Sequence, residues 1–130
     1  MTTDNSGFLQ LVQIIEALRA EDGCPWDKKQ TTQSLEKYLQ EEFREIIEAI
    51  ERRDHKNLCE ELGDFLYLIV MLAEINRQDE KFTLQDVITK INEKLIRRHP
   101  HVFAEKKDLD EITLRKQWQK IKEEEKHGKK

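Results

Sequence analysis

Residues 34–53 read SLEKYLQEEFREIIEAIERR, and residues 57–76 read NLCEELGDFLYLIVMLAEIN. In the first stretch Leu35, Leu39, Phe43, Ile46, Ile47 and Ile50 recur at helical spacing, predicting a helix from about Ser34 to Arg53 with one apolar face. In the second, Asn57 with Glu60 three residues later reads as a capping box opening a helix that ends near Asn76. On a wheel of about 100° per residue, Glu42 falls within about 20° of Leu35 and Ala49, inside the apolar face, with Glu45 about 60° away at its edge. The second helix repeats the arrangement: Leu68 and Leu72 flank Glu61 within about 20°, and Asp64, about 60° away, lies between Ile75 and Met71. Glu51 and Glu60 sit opposite the apolar stripe, as acids on a solvated face do.

Working outward, Phe8, Leu9, Leu11, Val12, Ile14, Ile15 and Leu18 predict a first helix over about residues 7–20. Gly23, Pro25 and the run from Asp27 to Thr32 read as a loop. Thr83 is a cap for a further helix through Ile88, Ile91 and Leu95, which must stop near Arg98 because Pro100 disfavours helical geometry at the residue before it. Leu114, Trp118 and Ile121 mark a last helix from Glu111 to about Lys122. With only 4 Gly and 2 Pro and with 38% charged residues, helices are favoured over strands. The expected fold is all-α, an antiparallel bundle of about five helices. One domain should span 1–130, with a core over about 8–122 and a solvated charged tail at 124–130.

No leader-like start is present, and the longest apolar run, Phe65 to Ala73, is too short to span a bilayer. Cys24 and Cys59 form no CxxC pair and read as reduced thiols, so a cytoplasmic protein is expected. The net charge of −4 conceals an asymmetry: 10 Lys and Arg face 19 Asp and Glu up to residue 89, and 13 face 8 beyond it. An acidic body argues against extended nucleic-acid binding, whereas the basic end suits one small polyanion.

Burying unpaired carboxylates costs several kcal/mol each, and four together repel unless protonated or bound to cations. Ion pairs with Lys or Arg across the bundle are one solution for Glu42, Glu45, Glu61 and Asp64. A hard cation is the other, with Mg²⁺ fitting oxygen ligands and Mn²⁺ as the alternative ion. A di-iron carboxylate bundle calls for Glu-x-x-His elements, which neither helix carries. The GxxxxGK[ST] cradle of γ-phosphate transfer is also missing.

The motif Glu41-Glu42-Phe43-Arg44-Glu45, followed by Glu61-Leu62-Gly63-Asp64, resembles that of the MazG-type nucleoside triphosphate pyrophosphohydrolases of the all-α NTP pyrophosphatase superfamily. Two flanking segments strengthen the likeness over about residues 8–122: Cys24-Pro25-Trp26-Asp27-Lys28-Lys29-Gln30-Thr31 before it, and Lys94-Leu95-Ile96-Arg97-Arg98-His99-Pro100-His101-Val102-Phe103 after it. The resemblance implies hydrolysis of nucleoside triphosphates to monophosphate and pyrophosphate, with Glu42, Glu45, Glu61 and Asp64 as Mg²⁺ ligands. It also implies that Lys94, Arg98, Trp118 and Lys122 contact the nucleotide, and that the chain assembles as a homodimer or larger oligomer. Trp26 and Lys28 are further substrate candidates because their loop could close over the site. Glu41, left over from the ligand set, is the candidate proton acceptor. A helical module that binds nucleotide without cleaving it is the alternative reading. His99 and His101 are assigned to capping the helix end rather than to metal.

Overall fold

The computed structural model describes residues 6–128, and among these every regular element is a helix. Five are long: α1 (Ser6–Leu18), α3 (Glu36–Glu51), α4 (His55–Gln78), α5 (Leu84–Arg98) and α7 (Glu111–Gly128). Two are short: α2 (Pro25–Lys29), inside the segment expected as loop, and α6 (Pro100–Phe103). Pro25 and Pro100 each stand at the start of a short helix, where a missing N–H costs nothing. The all-α expectation therefore holds, with two extra helical turns that proline-led segments form too briefly to leave a periodic signal.

The described residues divide into two compact units, 6–84 and 85–128. In the first, α1 and α3 both pack on α4. Ile15, Leu35, Leu68, Val70, Met71 and Ile75 form its buried core. The hairpin between α3 and α4 is tight: Arg53 takes a left-handed backbone conformation, φ 54°, while its N–H bonds Ile50 O and the Asp54 N–H bonds Ala49 O. This is the six-to-one and five-to-two closure that satisfies the last carbonyls of a helix.

The expected capping box at Asn57 is corrected: α4 begins two residues earlier, and Asp54 is its cap, accepting from Asn57 N–H at 3.1 Å. Asn57 is the donor of that bond rather than the cap. Half of the apolar face predicted for α3 also turns outward, with Phe43, Ile47 and Ile50 exposed while Leu35 and Ala49 are buried. An apolar arc that wide exceeds what packing on α4 can cover.

In the second unit α7 runs on to Gly128, beyond the expected end near Lys122, so most of the presumed tail is helical. Glu125, within that stretch, accepts from Arg97 at 2.6 Å and Arg98 at 2.9 Å. His99 does serve the helix end, its Nδ1 standing 2.6 Å from Leu95 O. His101 instead pairs with Gln117, 3.1 Å away.

Gly23 closes the turn after α1. A Cβ there would stand 2.3 Å from Leu18 O and 2.5 Å from Ala17 O, both backbone atoms that cannot step aside. Gly23→Ala should therefore destabilise the first unit by about 2 kcal/mol or more, seen as a lower urea midpoint; an unchanged midpoint would show that the turn relaxes freely.

A candidate carboxylate metal centre

Packing α3 on α4 brings Glu42, Glu45 and Glu61 together, one oxygen of each lying within 4.8 Å of the others. Asp64 is exposed and outside this cluster, but it lines the same cleft of about 240 Å³ with Glu41, Glu42 and Glu45. Among the described residues no Lys or Arg pairs with any of these acids, so the cross-bundle ion pairs weighed from the sequence do not form. Glu74 shows what such a solution looks like: nearly buried on the same helix, it is gripped by Arg77 through two bonds of 2.8 and 2.6 Å.

Glu42 Oε1 and Glu61 Oε2 are buried atoms without a hydrogen-bond partner. Ionised carboxylates have no proton to donate to one another, and a proton held between them is the chain's own remedy. Sharing hydrogen bonds with Glu45 and then Glu42, with burial and their charges adding, pushes Glu61 up to about 8. Burial, followed by the nearby negative charges of Glu45 and Asp64, raises Glu42 despite the opposing hydrogen bond with Glu61. Orphaned oxygens on an all-carboxylate donor set fit a hard divalent cation.

The cleft also has aromatic lining. Trp26, Tyr38 and Tyr67 line it with Leu68. Of the two loop candidates the structure thus brings Trp26 to the carboxylates, whereas Lys28 is exposed and donates to Glu21 O at 2.5 Å. Tyr38 and Tyr67 escaped the sequence reading, although their positions, four before Glu42 and three after Asp64, put them on the faces that carry the acids.

Lys94, Arg98, Trp118 and Lys122 all belong to the second unit. There Glu125 holds Arg98, and the Lys122 ammonium lies 4.6 Å above the Trp118 ring centre, covering one face of the indole. Arg98 and Lys122 line a pocket of about 290 Å³ with Glu125 and Lys126.

Residues 30–103 match the family described as the MazG nucleotide pyrophosphohydrolase domain. The chain belongs to the MazG family. The matched segment holds the five acids of the motif together with Lys94 and Arg98, while Trp26, Lys28, Trp118 and Lys122 lie outside it. The chain is 50% identical over 123 residues to the nucleoside triphosphate pyrophosphohydrolase/pyrophosphatase MazG of Thermotoga maritima, covering 95% of this chain and 47% of that one. It is 40% identical over 117 residues to the nucleoside triphosphate pyrophosphohydrolase of Escherichia coli, covering 89% and 44%. It thus spans about half the length of these relatives. The crystal structure of a mazG-related protein from Thermotoga maritima superposes with a TM-score of 0.76 at 34% identity, over 88% of this chain and 98% of that one.

The shared proton gives this MazG site a pH signature. With Glu61 raised from 4.5 to about 8, the metal-free folded chain keeps a proton that the unfolded chain releases above pH 4.5. The stabilising contribution is complete below that value and is lost as pH rises toward about 8. Thermal melts of the metal-free protein should show the midpoint falling across this window, and Glu61→Gln should flatten the fall. A midpoint that rises with pH in both proteins would contradict the assignment.

Proposed function

We propose that the chain is a Mg²⁺-dependent hydrolase converting nucleoside triphosphates to nucleoside monophosphate and pyrophosphate, a nucleotide-pool cleaning activity. The carrying observation is the trio Glu42, Glu45 and Glu61, unpaired and packed within 4.8 Å, with two buried oxygens left without partners. The activity for which the chain's relatives are named supports the reaction class. In this reading Glu42, Glu45, Glu61 and Asp64 hold the ion, with Mn²⁺ able to replace it. Bound there, Mg²⁺ supplies positive charge for the phosphate oxygens and acidifies water.

The chain's own groups account for the rest of the reaction. Glu41, exposed on the rim of the cleft, accepts the proton of the attacking water. A bond forms from that oxygen to the α-phosphorus while the bond to the bridging oxygen of pyrophosphate breaks, and the electron pair leaves with pyrophosphate. Lys94, Arg98, Trp118 and Lys122 of the second unit are the contacts that the family resemblance implies for the nucleotide and its phosphates, and Trp26 lines the cleft of the first. Lys28, turned to Glu21 O, has the weakest claim among the proposed contacts.

The uncovered faces support assembly with a second copy. Phe43, Ile47 and Ile50 on α3 and Leu62, Leu66 and Ile69 on α4 recur at helical spacing and are exposed. Contiguous apolar stripes of this kind support packing against a second copy, as a homodimer or a larger oligomer. No described helix is long and apolar enough to cross a membrane. Free Cys24 and Cys59 suit the reducing cytoplasm.

Glu42→Gln, Glu45→Gln, Glu61→Gln and Asp64→Asn should each lower turnover at least a hundredfold, the scale of about 2.7 kcal/mol of transition-state stabilisation. Because these changes relieve repulsion, the variants should stay folded by circular dichroism. Near-normal rates in the Glu61 variant would remove the site assignment. The bond that breaks is read from hydrolysis in ¹⁸O-labelled water, where the label should enter the monophosphate. Diphosphate and orthophosphate as first products, or label only in pyrophosphate, would refute the chemistry.

A further inference from the structure

Asp27, Gln30 and Glu74 are buried polar side chains, and of these Glu74 is neutralised by Arg77. The other two are on or beside α2, a helix of only five residues, far below the length that holds by itself in water. Asp27 accepts a hydrogen bond from the Tyr67 hydroxyl on α4. Arg19, just past α1, donates through Nη1 to the Asp27 carbonyl and, at 3.1 Å, to that of Gln30. The Gln30 amide donates to Trp26 O at 3.0 Å and accepts from Ser34 Oγ at 2.6 Å. Contacts from the end of α1, from α4 and from the segment leading into α3 therefore grip one short turn.

That turn places Trp26 on the cleft wall. The indole meets Tyr38 edge to face, with centroids 5.4 Å apart and planes at 73°. Both rings line the cleft, and so does Tyr67. The cleft is about 240 Å³, below the ~300 to ~1,000 Å³ of sites that enclose a whole small molecule. It has room for a flat ring system. Aromatic rings and carboxylates line this one cleft together, which matches a ligand that combines a planar ring with cation-binding phosphates.

We propose that Asp27 and Tyr67 are positioning residues that hold Trp26 beside Tyr38 as a stacking wall for the nucleobase. This rests on the nucleotide reading above and names the part of the substrate that the cleft takes. Burial, with the Asp27 hydrogen bond and charge adding, raises the Tyr67 phenol well above its ordinary value, so its hydroxyl remains a donor throughout the working range. The strut carries no proton in the reaction. Its role is to fix a ring whose α2 backbone would otherwise move.

The two products separate base from phosphate binding and can be titrated calorimetrically against the full chain with Mg²⁺ present and no turnover. Trp26→Ala and Tyr67→Phe are each expected to weaken nucleoside monophosphate binding about tenfold, a size typical of one lost base stack. Pyrophosphate affinity should stay within twofold. With Trp26→Ala already present, Tyr67→Phe should add no further loss. Asp27→Asn keeps an oxygen acceptor for Tyr67 and should retain most of the monophosphate affinity that Asp27→Ala loses.

Equal weakening toward both products would reduce the strut to general packing and overturn the proposal. So would wild-type affinity in Tyr67→Phe, the same loss with Trp26 already removed, or no monophosphate binding by an active wild-type chain. A wild-type chain that releases no monophosphate and pyrophosphate from any nucleotide would instead remove the functional reading itself.

Discussion

Repulsion among carboxylates that the hydrophobic core forces together is the constraint around which the first unit is arranged. Leu35 and Ala49 on α3 and Leu68 and Met71 on α4 are buried, and their burial carries Glu42 and Glu61 into the same interface. A solvated face would let these acids separate, and an Arg in reach would neutralise them as Arg77 does Glu74. Neither escape is present, so the packing energy of the α3 and α4 hairpin opposes an electrostatic cost held at the site. Protonation relieves it in part, as the raised Glu61 shows. A divalent cation would relieve it more fully.

The same economy explains the surroundings of the cleft. A short helix with a buried acid and a buried amide is costly unless each polar group is bonded, and α2 meets that condition through Tyr67, Ser34 and Arg19. Aromatic rings and carboxylates line the same cleft.

The second unit handles charge in the opposite way. Its basic excess is partly spent internally, since Glu125 serves both Arg97 and Arg98, and these contacts hold its carboxyl down at about 2. Lys122 rests on Trp118. Cations already engaged with weak partners are held in defined places, and a polyanion offers them a stronger partner than either a single carboxylate or an indole face.

Several features could be read from the residues alone. Helical periodicity located the five long helices, because amphipathic spacing is a local property of the chain. The wheel put Glu42 and Glu61 among apolar neighbours for the same reason, and the motif with its flanking segments led to the family. What spacing could not disclose was which part of a wide apolar arc is covered: Leu35 is buried while Phe43 and Ile50 are exposed, a choice made by the neighbour that α3 packs on. The cap of α4 was misread because Asp54 and Asn57 are both capable caps, and only the hairpin geometry decides which one accepts. Tyr67 and Asp27, 40 residues apart, meet only after folding, as do Arg98 and Glu125. The sequence by itself determined the helices and the chemical character of the acids, since both depend on neighbours within a turn or two. Tertiary structure decided which acids converge, which aromatic rings face them and which cations are already engaged, because those are distances between segments that no local pattern encodes.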